Sequence, residues 1–199
     1  VNNGDARAEI MRSIRAHLAS SAPYDARETP SEISPCKSVT ERGVISVVEE
    51  FKQNLEAVDG HCIVVNGQTE IAEVLKQISS GKRVATSDAP PSTKDLFQID
   101  VGITAAQAGI AETGTLVLDS AIERNRLVSL VPPVHVAILD ASRIYPTLAD
   151  ALSFLQSGEE VSPAVTLITG PSRTADIELT LAIGVHGPQE LYVIVNQSN

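Results

Sequence analysis

The segment Ala164-Val165-Thr166-Leu167-Ile168-Thr169, followed by Gly170-Pro171-Ser172-Arg173-Thr174 and then Ala175-Asp176-Ile177-Glu178-Leu179-Thr180-Leu181-Ala182-Ile183, decides how the chain is read. Six mostly apolar, β-branched residues predict a buried strand, and Gly, Pro and hydroxyls predict a tight turn. Ile177 and Leu181, four apart, predict one face of a helix. A helix opening off a strand directs its unpaired N–H groups and positive dipole end past the strand's carboxyl edge, where anions bind. Ser172 and Thr174 can each cap such a helix, and the planar fork of Arg173 suits a carboxylate or phosphate. The same residues also make sense without a ligand, with a hydroxyl cap, Asp176 and Glu178 offsetting the dipole, and Arg173 paired with Asp176.

Outward from this segment, strand, turn and helix recur. His61 to Val65 predicts a strand, Asn66 to Thr69 a turn, Glu70 to Ile78 a helix and Arg83 to Thr86 a strand, before a break at Asp88-Ala89-Pro90-Pro91. Val134 to Leu139 predicts a buried strand, Thr147 to Leu155 a helix and Leu191 to Val195 the last strand. This alternation predicts an α/β fold built on a mainly parallel sheet with helices on both faces, in which ligands sit outside the carboxyl ends of the strands. Toward the N-terminus, Glu41 to Val58 predicts a helix with Val44, Val47, Val48, Phe51 and Leu55 on one face, closed by Asp59-Gly60. Asp5 to Ala19 predicts an amphipathic helix with Ile10, Ile14 and Leu18 four apart. Ser20 to Thr40, with Pro23, Pro30 and Pro35, reads as an arm without a core. Two regions are thus expected, an N-terminal helix and arm over 1–40 and an α/β domain over 41–199.

Within Ile99 to Leu118, the apolar pieces Ile110-Ala111 and Leu116-Val117-Leu118 flank Glu112-Thr113-Gly114-Thr115. A carboxylate in such a run stands either at a strand end or desolvated at a site. Gly114 predicts a bulge or hairpin turn that aims Glu112 and both threonine hydroxyls. Without a ligand, the stretch is a plain hairpin with a solvated Glu. His135 opens a buried strand after Pro132-Pro133, where an imidazole serves either as a structural hydrogen-bonder or at a site. His186 stands in the Gly-rich turn Gly184-Val185-His186-Gly187-Pro188, either free to act or filling a turn.

With 15 Lys and Arg against 25 Asp and Glu, the net charge of −10 repels nucleic acid and acidic lipid surfaces. Aromatic residues make up 3% and Trp is absent, so base-stacking platforms are not expected. Cys36 and Cys62 lack cluster spacing, and neither an iron–sulfur centre, a structural zinc nor a disulfide framework is encoded. GxGxxG after the first strand, GxxxxGK[ST], HExxH and GxSxG are all missing. No resident metal or cofactor is expected. No apolar run approaches the roughly 18 residues of a membrane span, so a soluble, cytoplasmic protein is expected. The chain starts at Val1 without Met, and further residues are expected to precede it.

Four motifs, in order, add a resemblance. Ala111-Glu112-Thr113-Gly114-Thr115-Leu116-Val117-Leu118, Ser129-Leu130-Val131-Pro132-Pro133-Val134-His135, Gly170-Pro171-Ser172-Arg173-Thr174-Ala175-Asp176-Ile177-Glu178 and Gly184-Val185-His186-Gly187-Pro188 resemble the LUD-domain family, across roughly Glu41 to Val195. The resemblance implies a sugar-phosphate isomerase and CoA-transferase-like α/β fold. It also implies a role in the oxidation of L-lactate to pyruvate alongside two iron–sulfur partner proteins, with a small anionic metabolite bound. Carried over by motif, Glu112 and His186 become candidates to handle a proton. Thr113, Gly114, Thr115, His135, Gly170, Ser172, Arg173, Thr174, Asp176 and Glu178 become candidate ligand-binding residues, with the glutamate motif and the arginine turn expected at one pocket. The alternative is a stand-alone enzyme, either a sugar-phosphate isomerase or an acyl-CoA transferase with Glu112 as nucleophile.

Overall fold

Successive side chains along a strand point to opposite faces, and runs such as Thr115 to Leu118 and Val134 to Ala137 are buried at every position, so these strands are covered on both sides. The computed structural model describes residues 3–20, 46–89, 91–123, 125–156, 163–174, 182–184 and 186–198. By its contacts the chain divides into two units, Val1–Glu41 and Arg42–Asn199. In the first, helix α1 spans Asn3–Ser20 and leaves Ile10, Met11 and Ile14 exposed.

In the second unit, helix α2 spans Val47–Glu56 and begins where the Ser46 hydroxyl accepts a bond from Glu49 N, a side-chain cap. Next come β1 (His61–Val65), α3 (Gln68–Ser79), β2 (Val84–Thr86), the short α4 (Thr93–Leu96) and β3 (Val101–Ala105). The chain then turns through β4 (Ala108–Ile110) and β5 (Thr115–Asp119) before β6 (Val134–Asp140), β7 (Ile144–Tyr145) and helix α5 (Leu148–Gln156). Strands β8 (Val165–Ile168), β9 (Arg173–Thr174), β10 (Ala182–Ile183) and β11 (Glu190–Asn196) complete it.

Five strands form a wholly parallel sheet in the order β1-β11-β6-β3-β2. Val136 and Ile194 face α3, which contributes Ile71, Val74, Leu75 and Ile78. Leu139, Leu191, Val193 and Val195 face the other way, onto Phe51 and Leu55 of α2 and Leu116, Leu118 and Ile144 of a second sheet. That sheet has the order β7-β4-β5-β8 and is mostly antiparallel. Its outer face, with Ala108, Ile110 and Val117, packs under Ala151, Phe154 and Leu155 of α5. The layers are therefore helix, parallel sheet, mixed sheet, helix. Each fully buried Leu, Ile or Phe stabilises this stack by about 2 kcal/mol.

The α/β class and mainly parallel sheet match the sequence reading, with three differences. On one face of the parallel sheet α2 shares the covering with a second sheet, which a strand–helix alternation does not foreshadow. Strand β3 lies within the parallel sheet, yet its sequence, Val-Gly-Ile-Thr-Ala, holds two small residues and a Thr and gives little local signal. The third concerns the stretch from Ala164 to Ile183. Its strand is not buried in the parallel sheet but forms the edge of the second, with Val165 41% and Leu167 48% exposed. The expected helix does not reach its predicted end, because Ala182 and Ile183 pair antiparallel with Thr174 and Arg173. Residues 175–181, with Asp176 and Glu178, lie outside the described residues.

Candidate functional site

A cleft of about 220 Å³ opens at the amino ends of β6 and β11. His135 of β6 and Leu191 of β11 sit on its sheet side, and Thr166 to Gly170 run along it from β8. Ser129 and Leu130 enter from the turn before β6, and Ser172, His186, Gly187 and Pro188 from the two loops that follow β8. Those loops are tied to each other: Ser172 N donates to Pro188 O at 2.8 Å, and Gly184 N donates to Ser172 O at 2.9 Å. The Ser172 hydroxyl therefore stays beside Gly187. Ser129 is buried and donates to Arg126 O at 2.8 Å, closing the 3-10 turn Arg126–Ser129.

His135 is buried as well, 1% exposed. Alternation along β6 turns it toward the second sheet, since Val134 and Val136 face α3 while Ala137 and Leu139 face the other way. Nε2 lies 2.9 Å from the Thr104 hydroxyl of β3, and Nδ1 is buried with no hydrogen-bond partner. Burial pushes the imidazole pKa down to about 4, so the ring is neutral near pH 7. Among the described residues around this cleft none is Lys, Arg, Asp or Glu. The described residues supply hydroxyls, two imidazoles and an apolar wall of Leu130, Leu167, Ile168 and Leu191.

The structure brings His135, Gly170, Ser172 and His186 together, with His186 exposed at the rim. The glutamate motif is placed differently. Glu112 sits in the 3-10 turn Ala111–Thr113, and its Oε1 accepts from Leu148 N at 2.9 Å, capping α5. Gly114 makes the expected hairpin turn at φ 64°, where a Cβ would stand 2.6 Å from Leu55 Cα. Thr113 and Thr115 join a hydroxyl chain, Thr113 to Thr115 at 2.7 Å and Thr115 to Thr169 at 2.6 Å, which meets the cleft only at Thr169.

Arg173 turns away from the cleft. Its guanidinium donates to Val58 O at 3.0 Å and pairs with Asp59, holding the carboxyl end of α2. It borders a separate, open hollow with Glu56, His61 and Gln189. Thr174 lies in the β9–β10 ladder. Glu112 and Arg173 share none of the described cavities, and Arg173 stands in β9, paired with Ile183, where the sequence reads as a turn. Among the described residues no group of three or more His, Cys, Asp and Glu is placed to hold a metal. No helix of the described residues is long and apolar enough to cross a membrane.

Two polar residues escaped the sequence reading. Ser129 was legible only as part of a motif. Glu123 is 4% exposed, accepts from Ala105 N at 3.1 Å and from the Ser87 hydroxyl at 3.3 Å, and leaves Oε2 without a partner. Burial raises its pKa, and the two hydrogen bonds oppose that shift. Nothing local marks this glutamate in a polar stretch.

Comparison with known proteins places this geometry in a family. A model of the LUD domain matches residues 92–195. An uncharacterized protein of Neisseria meningitidis is 48% identical over 103 residues, 51% of this chain and 44% of that protein. YkgG of Escherichia coli is 34% identical over 143 residues, 67% and 62% of the two chains. Lactate utilization protein C of Bacillus subtilis is 40% identical over 108 residues, 52% and 45%. The chain thus spans between 44% and 62% of the lengths of these relatives. A crystal structure of a DUF162 family protein from Deinococcus radiodurans has the same fold, with a TM-score of 0.60 at 21% identity over 76% of this chain and 96% of that one. With more than half of its residues matched by the domain model, the chain belongs to the LUD-domain family.

Proposed function

We propose that this chain is a component of L-lactate utilisation, working in the cytoplasm beside two iron–sulfur proteins that carry the electrons from L-lactate to pyruvate, and that its own task is to bind a small carboxylate. The pathway is supported by the similarity to proteins called Lactate utilization protein C in several bacilli. The division of labour is supported by the cysteines. Cys36 and Cys62 are too few to ligate a four-cysteine cluster, and burial together with Glu56 pushes the Cys62 thiol up to about 11, away from the thiolate that binds metal.

One observation carries the ligand class, the composition of the His135 cleft, which among the described residues holds no charged side chain. Hydroxyls and imidazoles can hold a single carboxylate by hydrogen bonds, whereas a phosphate dianion or a CoA pyrophosphate calls for Lys, Arg or a metal. The family-level alternatives of sugar-phosphate isomerase and acyl-CoA transferase lose support accordingly, since Glu112 is engaged in capping α5.

Thermal shift of the purified chain tests the ligand class. A small monocarboxylate should raise the melting temperature, reaching about 2.7 kcal/mol of stabilisation at a hundredfold excess over Kd. A rise with glucose 6-phosphate or CoA and none with monocarboxylates would overturn the reading. For the pathway, Ser172→Ala combined with His186→Ala should impair growth on L-lactate while the protein remains folded.

A further inference from the structure

The polar groups around the cleft are unequal in one respect. Ser129 donates to a backbone carbonyl, and Ser172 and His186 stand at or near the rim, where water satisfies them. His135 alone combines complete burial with an unmet hydrogen-bonding atom, Nδ1. Such an atom in a native protein is rare, and leaving a polar group unpaired away from water costs free energy that folding does not recover.

Thr104 limits which form of the ring is present. If Nε2 carries the proton it donates to the Thr104 oxygen, and Nδ1 is a bare lone pair. If Nδ1 carries it, a buried N–H is orphaned, the costlier of the two defects. The less costly arrangement leaves Nδ1 as an acceptor, on a wall that also carries the Ser172 hydroxyl.

Resting on the reading of this cleft as the carboxylate site, we infer that His135 is its specificity-determining residue: Nδ1 accepts a hydrogen bond from a ligand hydroxyl, so that the cleft selects 2-hydroxy monocarboxylates over their 2-oxo and unsubstituted counterparts. A hydroxyl completes the hydrogen bonding of the ring. A keto oxygen has no proton to offer and sets one lone pair against another, and a methylene leaves Nδ1 as it was. The Ser172 hydroxyl and the rim imidazole of His186 are then available to the carboxylate, with Leu130, Leu167 and Leu191 against the alkyl end. Nδ1 has no exposed surface, so the bond requires the groups covering the ring to move aside as the ligand enters.

Calorimetric titration of the full chain with L-lactate, pyruvate and propionate, at equal ionic strength, tests this. L-Lactate should bind about tenfold more tightly than either analogue, the ratio of one buried hydrogen bond gained rather than left unmade. In the His135→Phe variant the three acids should bind alike. Because that variant could fail to fold, the wild-type protein supplies a second readout: the side-chain ¹⁵N resonance of His135 Nδ1 should be that of an unprotonated nitrogen and should move on addition of L-lactate but not of propionate. Equal affinities for the three acids, a preference for pyruvate, or a protonated Nδ1 would overturn the role of His135 and leave the carboxylate cleft standing. Binding of none of the three would overturn both.

Discussion

At His135 the link between burial and stability has a definite sign. The folded ring takes up a proton only near pH 4, whereas in the unfolded chain it does so near pH 6.5, so the unfolded state binds more protons between these values. Stability should therefore fall as the pH drops from about 6.5 to about 4, by about 3 kcal/mol if the whole shift is realised. Urea unfolding across this window measures it, and His135→Gln should flatten the curve. Glu123 works in the opposite direction. Its folded pKa is raised, so its contribution is full below the ordinary carboxyl range and fades as the pH rises through the folded value. Wild type minus Glu123→Gln should show a stability difference that declines from pH 4 upward; a difference rising with pH would contradict the assignment. Glu112→Ala removes a cap from α5 and should cost about 1 kcal/mol on unfolding, with ligand affinity unchanged.

Helix α2 organises several elements through contacts that involve little apolar surface. Asn54 donates its side-chain amide to Ala111 O at 2.7 Å, and Gly114 lies against the backbone of Asn54 and Leu55. Gly114→Ala places a methyl into that backbone at a residue with positive φ, and a loss of about 3 kcal/mol is expected in denaturant unfolding. Arg173 holds the other side of the same helix end. Its side chain is a third exposed and Asp59 is mostly exposed, so Arg173→Ala should cost about 1 kcal/mol or less and leave ligand binding intact. A loss of binding in that variant would return Arg173 to the site.

For the whole molecule, the boundary near residue 41 predicts that residues 42–199 expressed alone unfold in a single cooperative transition, followed by circular dichroism. The exposed Ile10, Met11 and Ile14 belong to the other unit. If the proposed pathway role holds, full-length chain co-expressed with two iron–sulfur proteins should co-purify with them.

Apolar runs bounded by turn residues were enough to read β1, β6 and β11 from the sequence, and α3 and α5 were read as helices between turn signals, because each of these signals lies within a single element. The turn at Gly114 was legible for a related reason, as its left-handed conformation is a property of one residue. Three things depended on contacts far apart in sequence. The sheet to which Val165–Ile168 belongs is set by its register against Leu116–Asp119, some fifty residues away, and that register carries the turn to the amino rather than the carboxyl ends of β6 and β11. Arg173 and Asp59, and Glu112 and Leu148 N, meet only after folding, and each contact gives a structural task to a residue whose type alone suggested chemistry. His135 was visible as a histidine at the start of a buried strand; that one of its nitrogens is satisfied by Thr104 and the other by nothing follows from how β3 and the second sheet pack around it.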